Sequence, residues 1–258
     1  MLSFKSYAKV NIFLKIIGKR DNYHEILSRF VLCENLYDEM TFVKKEKEKE
    51  DFELIGDFDC TLEQNTIYKA YKYLKEYTED KKIDEFFTKY SLRVKKNIPS
   101  GGGLGGGSSN AATLLLALYK TLELKIDLRD LLIIGKKIGA DVNFFLYETK
   151  SANVSGIGEI VEPFDDDIPN LEFIFPDVHS NTALIYKTFR ENCWGQIDTK
   201  MAKEMKSLSS HELLKMFKPK ELNDLLNPLL ICYESLKPFA TEEQFLSGSG
   251  STFFKVKK

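Results

Sequence analysis

Residues 98–113, IPSGGGLGGGSSNAAT, place six glycines within seven positions and two serines directly behind them. Glycine loses more conformational freedom on folding than any other residue, so a cluster this dense marks a backbone that comes very close to something. Amides freed of side chains can converge on an anion, and the hydroxyls of Ser108 and Ser109 can donate to it. The apolar run LLLALY that follows predicts a helix, whose N-terminus carries a positive partial charge at the same place. The chemistry that suits this pattern is the holding of phosphate.

Two other phosphate loops fit less well. Gly101, Gly103 and Gly106 satisfy GxGxxG. The segment before them, however, carries Arg93, Lys95 and Lys96 and is not the buried apolar strand that opens a dinucleotide-binding unit. Gly102 and Gly107 have the spacing of GxxxxGK(S/T), but Ser108 stands where the lysine of that motif does its work. A purely structural turn seldom needs six glycines and two serines at a helix start.

Composition sets the frame for this loop. The chain has 258 residues, 43% apolar and 29% charged, enough for a substantial core in one large or two smaller domains. Lys+Arg 37 against Asp+Glu 39 leaves a formal charge of −2, so no global field draws it to nucleic acid or an anionic membrane. No apolar run has the length of a bilayer span, and the start, MLSFKSYAKVNIFLK, lacks the pattern of a signal peptide. Cys33, Cys60, Cys193 and Cys232 lie far apart with no zinc-like spacing, and are read as reduced thiols of a cytoplasmic protein.

The elements that must position the loop follow from periodicity. SFKSYAKV, NIFLKIIG, DEMTFV and DFELIG read as strands, with the charged run 44–50 as a solvated hairpin tip between the last two. A helix is expected from Asn65, then the alternating YSLRVKKNIP, then helices over 108–121 and 128–138, the second capped by Asp127. GADVNFFLY reads as a buried turn and SANVSGIGEIVEPF as a hairpin. EPFDDDIPN, acidic and proline-bearing, is the expected domain boundary, dividing the chain into 1–163 and 164–258. Beyond it come a strand LEFIFP, helices over 182–190, 211–216 and 220–236, and a closing pair of strands. The order indicates an α+β architecture with two layers in each half.

PSGGGLGGGSSNAA resembles the second motif of the GHMP small-molecule kinases, a superfamily that includes galactokinase, homoserine kinase and mevalonate kinase. AKVNIFLKIIGKRDNYHEI from Ala8, GADVNFFL from Gly139 and LSGSGSTFF from Leu246 are similar to further motifs of that superfamily, in register along the chain. The resemblance implies a two-domain fold. Its N-terminal domain would contain a left-handed βαβ crossover, an exception to the usual hand, and its C-terminal domain would be ferredoxin-like with the substrate cleft between the two. It also implies transfer of the ATP γ-phosphoryl group to the 2-hydroxyl of 4-diphosphocytidyl-2-C-methylerythritol, with Mg²⁺ accompanying ATP.

Residue by residue, the resemblance makes Asp141 the group that takes or orients the hydroxyl proton, against a plain capping role, and Lys9 the cation that offsets transition-state charge, against a surface lysine on an edge strand. On this reading both Lys9→Ala and Asp141→Asn lose kcat while keeping ATP affinity. It assigns the nucleotide to Pro99, Ser100, Gly101, Gly102, Gly103, Leu104, Gly105, Gly106, Gly107, Ser108 and Ser109, with Asn65 beside them. It assigns the cytidyl and erythritol parts to Asn11, Tyr23, His24, Thr182 and Tyr186, and to Ser247, Gly248 and Ser249 at the phosphate side. The magnesium ligands are left unassigned, with Ser108 the one residue suggested.

Three departures from the motifs carry expectations. Asn143 replaces a proline and would loosen the turn after Asp141; Asn22 replaces a glycine in a residue type tolerant of φ > 0; and the chain stops at FFKVKK without a further helix, leaving a sheet face thinly covered or closed by a second copy. The expected state is a monomer or homodimer. The competing expectations are a superfamily relative with another alcohol acceptor, a nucleic-acid-binding module, which the near-neutral charge disfavours, and a hydride-transferring dehydrogenase.

Overall fold

The computed structural model describes residues 2–49 and 51–257, and the last residue of the charged run, Glu50, lies outside them. SFKSYAKV and NIFLKIIG form one strand, β1 (Leu2–Arg20), with no breaker between them. A turn in which Asp21 takes φ 52° leads into β2 (Tyr23–Lys44). Asp21, and not Asn22, holds the left-handed conformation that the sequence assigned next door. From Ala8 to Ile16 every residue of β1 is buried, without alternation between faces. A strand covered on both faces tolerates polar side chains only where they are bonded, which singles out Lys9, Asn11 and Lys15.

The chain divides into two compact units that interleave along the sequence. The first takes Met1–Ala8, Cys33–Ile98 and Gly106–Glu148; the second takes Lys9–Leu32, Pro99–Gly105 and Thr149–Lys258. The line at 163/164 divides the sequence, and the contact units cut across it, because β1 and β2 each run through both.

In the first unit the second half of β2 pairs antiparallel with β4 (Tyr90–Lys95), and β4 pairs parallel with β3 (Leu54–Ile55). β2 and β3 are therefore not hairpin partners, and the charged run is a connection rather than a hairpin tip. Lys45 within it is held by the carbonyls of Lys49 and Asp51 at 3.2 and 2.6 Å. Around this sheet stand α1 (Thr66–Thr78), α2 (Lys81–Lys89), α3 (Gly106–Thr121), α4 (Leu128–Ile138) and the short α5 (Val142–Leu146). The sequence reading omitted α2, although Asp80 caps it at Lys82 N and Ile83 and Phe87 bury one face at helical spacing. GADVNFFLY, read as a turn, contains α5, whose five residues are all buried.

In the second unit the first half of β2 pairs with β5 (Ser151–Gly156), which pairs with β6 (Ile160–Pro163). A separate antiparallel sheet has the order β7 (Leu171–Ile174), β9 (Phe253–Val256), β8 (Phe245–Leu246). No residue of β7 is fully buried, and Phe175 beyond it is 48% exposed. The helices are α6 (Thr182–Asn192), α7 (Thr199–Met205), α8 (Ser210–Met216), α9 (Pro219–Leu222) and α10 (Leu226–Cys232). The single helix expected over 220–236 is broken at Asn223, whose side chain takes Leu225 N at 2.8 Å and so competes with the helical bond. Leu14, Ile16, Ile185, Phe189, Leu229, Leu246 and Phe253 form the core of this unit.

The acidic stretch after β6 is not a free linker. Asp166 is buried against Arg29, 3.2 Å away, and accepts from Ser151 Oγ, Ser210 N and Ser210 Oγ. Arg29 is fully buried over the Phe164 ring and donates to Asn153 Oδ1 and the carbonyls of Lys206 and Leu208. Removing one partner strands the other charge in the interior, which costs about 3–5 kcal/mol. Arg29→Ala is thus expected to lower the melting temperature by roughly 10 °C; a change within about 2 °C would mean that Asp166 finds water or another donor.

All four cysteines are free thiols. Among the described residues no helix is long and apolar enough to cross a membrane.

Candidate phosphate and acceptor sites

The loop Pro99–Gly105 belongs to the second unit. Gly101, Gly103 and Gly105 take φ of 67°, 73° and 68°, a region that costs an L-residue about 1–2 kcal/mol. The four consecutive carbonyls of residues 101–104 find protein donors. Ser180 Oγ and Ser251 N donate to Gly101 O at 3.0 and 3.3 Å, and Thr252 N to Gly102 O at 3.2 Å. Ser247 Oγ and Lys9 Nζ donate to Gly103 O at 3.0 and 3.1 Å, and Lys9 N to Leu104 O at 2.9 Å. Among the described residues no amide of 101–105 donates to a protein acceptor. A turn whose carbonyls are bound on one side and whose amides are unclaimed is a nest for an anion.

The glycines also answer a crowding that the sequence did not show. A Cβ on Gly103 would lie 2.2 Å from Ser247 O, on Gly102 2.6 Å from Thr252 Oγ1, and on Gly101 2.4 Å from the His179 ring. The third motif is packed directly on the loop. It is held in turn by Asn223 Nδ2, which donates to Leu246 O and Gly248 O at 3.0 and 2.9 Å. Asn223 was not legible as a site residue, since nothing near it in sequence marks it.

Lys9 is 3% exposed, so it is no surface lysine. Its Nζ donates to Asn11 Oδ1 at 2.7 Å and lies 4.4 Å from the centroid of Phe30. Asn11 passes the chain on to Ser28 Oγ at 2.9 Å, and its backbone N reaches Ser247 Oγ at 3.4 Å. A Cβ on Gly248, at φ 57°, would come within 3.2 Å of Asn11 Oδ1. The first motif, the glycine loop and the third motif therefore meet within one unit. Ser249 Oγ is 2.8 Å from Thr182 Oγ1 at the start of α6.

Farther along α6, Tyr186 lies 5.1 Å from the His24 ring at a 37° tilt. Phe189 and Trp194 complete a set of three rings around His24, at 6.0 and 5.8 Å. His24 is 6% exposed, and its Nε2 is buried without a hydrogen-bond partner. Burial, and after it the charges of Arg190 and Lys19, hold His24 below the ordinary histidine value, so it is neutral at pH 7. Tyr23 beside it is 63% exposed, and Arg190 ties the turn before it by donating to Asn22 O at 3.2 Å.

The remaining assigned residues lie in the first unit. Asp38, fully buried on β2, accepts from Asn97 N, Ile98 N and Asn110 Nδ2 at 2.7, 2.9 and 2.9 Å and pairs with Lys96, fixing the approach to the loop. α3 begins at Gly106, two residues before the expected start, so Gly106, Gly107, Ser108 and Ser109 form its first turn, in which the amides of 106–108 have no intrahelical acceptor. The Ser109 hydroxyl is not available to a ligand from this position. It is buried and accepts from Ser6 Oγ at 2.7 Å, because the fourth helical position turns inward. Ser108 is partly exposed. Asn65 is the N-cap of α1, its Oδ1 committed to Ile67 N, and Thr66 Oγ1 donates to Gly107 O at 2.7 Å.

Asp141 occupies the N-cap position of α5 in αR geometry, and its side chain makes no cap bond. The capping role that composition alone allowed is therefore not the one it plays. Asn143, buried at the second position of α5, packs against Gly135 of α4, and the helix forms with asparagine where loosening was expected. Among the described residues no group of three or more His, Cys, Asp or Glu side chains is placed to hold a metal.

Residues 65–149 match the GHMP kinases N terminal domain. The whole chain is 46% identical over 261 residues to the 4-diphosphocytidyl-2-C-methyl-D-erythritol kinase of Sulfurimonas denitrificans, covering 98% of that protein. The chain belongs to this kinase family. The Campylobacter jejuni member is 46% identical over 256 residues, covering 98% of this chain and 99% of its own. A crystal structure of a 4-(cytidine 5'-diphospho)-2C-methyl-D-erythritol kinase superposes with TM-score 0.76 at 27% identity, over all of this chain and 90% of that one. A mevalonate kinase superposes with TM-score 0.62 at 13% identity, over all of this chain and 92% of that one, a likeness of fold alone. The α+β fold is thus that of the GHMP kinases, and the chain is an ATP-dependent kinase of that family.

Proposed function

We propose that the protein transfers the γ-phosphoryl group of ATP to the 2-hydroxyl of 4-diphosphocytidyl-2-C-methyl-D-erythritol, a step of non-mevalonate isoprenoid precursor synthesis. The observation that carries this is the loop whose carbonyls at 101–104 are bound by protein donors while the amides of 101–105 stay unclaimed, in a chain 46% identical to kinases of that substrate. In the reaction the acceptor oxygen forms a bond to Pγ as the bond from Pγ to the β–γ bridging oxygen breaks. The hydroxyl proton passes to a carboxylate and ADP leaves.

Asp141 is the carboxylate for that proton, and Lys9, fixed by Asn11 and Gly103 O, offsets the charge that develops on the phosphoryl group. The segment 99–109 takes the triphosphate through the amides of residues 100–108, with the Ser108 hydroxyl added and Pro99 and Ser109 setting its two ends; Asn65 contributes by capping α1. Ser247, Gly248 and Ser249, with Thr182 bonded to Ser249, line the phosphate side of the acceptor. Tyr23 and Tyr186 offer ring faces to the cytosine, and His24 Nε2 offers a polar atom to its edge.

A magnesium ion bound chiefly by phosphate and water needs one or two protein oxygens, and the partly exposed Ser108 fits that modest demand. When bound, the ion would neutralise charge on the bridging oxygens. The left-handed crossover and the ferredoxin-like C-terminal domain of the superfamily are part of the same proposal.

The test compares ADP release with the cytidyl substrate, mevalonate, homoserine and galactose. Turnover with the cytidyl compound at least a hundredfold above the others is expected, and a preference for any of the other three would overturn the acceptor.

A further inference from the structure

His24 is held by more than the family motif that contains it. Its ring is enclosed by Tyr186 and Phe189 of α6 and by Trp194, which follows that helix in a short 3₁₀ turn (Trp194–Gln196). Tyr186 and Phe189 are fixed by the helix that carries them, with Phe189 1% exposed. Trp194 is 38% exposed, packs edge-on against Phe189 at 6.3 Å, and meets the His24 ring at 59°. An indole left one-third in water has no structural need to be so large. A buried imidazole nitrogen without a partner carries a desolvation cost that the polar edge of a ligand would remove.

We propose that Trp194 is a positioning residue for the cytidine end of the acceptor: it fixes the His24 ring so that Nε2 meets the pyrimidine edge, and sets the affinity for cytosine without affecting ATP. This rests on the acceptor proposed above. Two observations carry it, the ring contact between Trp194 and His24 and the orphaned Nε2.

The same packing keeps water from the imidazole. The charged and titratable groups facing it are Arg190 and Tyr186 on α6 and Lys19 on β1; both cations, like burial, favour the neutral ring. With the indole removed, His24 returns towards its ordinary value. Affinity for the cytidyl ligand then begins to fall at a higher pH as pH is lowered than it does in the wild type.

Trp194 is the one tryptophan of the chain, so its emission reads the site directly. Titration of wild type with CDP is expected to give a saturable change that ADP does not give. Trp194→Ala is expected to raise KM for the cytidyl substrate about tenfold, with ATP KM and kcat within about twofold, and Trp194→Phe to recover most of the loss. If the alanine variant does not fold, Trp194→Leu, which keeps bulk without an aromatic face, is expected to show the same KM effect.

A wild type that binds CDP, together with an unchanged KM in the alanine or leucine variant, overturns the role of Trp194 and leaves the acceptor standing. Equal weakening of ATP, or no recovery with phenylalanine, overturns it as well. A wild type that shows no response to CDP and no turnover of the cytidyl substrate overturns both.

Discussion

Asp141→Asn is expected to lower kcat by about 10²–10⁴ with ATP affinity within about threefold of wild type, the size of effect that loss of a positioned proton acceptor produces. Asparagine keeps the shape of aspartate, and the native side chain makes no N-cap hydrogen bond to α5 for the substitution to remove. Steady-state kinetics with a calorimetric measure of ATP binding separate the two quantities. A kcat within tenfold of wild type would remove the carboxylate from the chemistry.

Lys9 behaves differently, and here the structure revises the sequence. Its ammonium holds Gly103 O as well as Asn11 Oδ1. Lys9→Ala therefore takes a brace from the loop, and ATP KM rises along with the fall in kcat, where the motif alone predicted that ATP affinity would survive.

Gly103→Ala is expected to weaken ATP binding by about a hundredfold while the protein still folds. Its backbone sits at φ 73°, which disfavours any L side chain, and the new Cβ would lie 2.2 Å from the carbonyl oxygen of Ser247. A backbone oxygen cannot rotate away as a side chain can. The loop or the third motif must shift, breaking the bond from Ser247 Oγ to Gly103 O, and the strain and lost contacts come to about 2–4 kcal/mol. Gly195→Ala is the control: nothing lies within 4 Å of its Cβ position, and ATP binding and melting temperature stay as they are. An alanine at 103 that binds ATP normally would show that the loop does not rest on Ser247.

What could be read in the sequence was what neighbouring residues decide. Six glycines before an apolar run marked a tight loop ending at a helix start, Asp127 marked the start of α4, whose bounds match the expected 128–138, and the hairpin β5–β6 was legible as a hairpin. The motifs that carry the family, and with them Lys9 and Asp141, are also local strings. α2 was missed although its cap and apolar spacing were present, and the helix expected over 220–236 broke because Asn223 spends its side chain on its own turn.

Tertiary structure alone decided the rest, because the partners lie far apart in the chain. Gly103 and Ser247 are 144 residues apart, Arg29 meets the carbonyls of Lys206 and Leu208 across more than 170, and His24 meets Trp194 only once α6 has returned to β2. Periodicity and spacing report which face of an element is apolar, but which other element covers that face is set by the closure of long loops, and no local pattern records it. The same folding buried Lys9 on a strand covered on both sides and turned the Ser109 hydroxyl into the core.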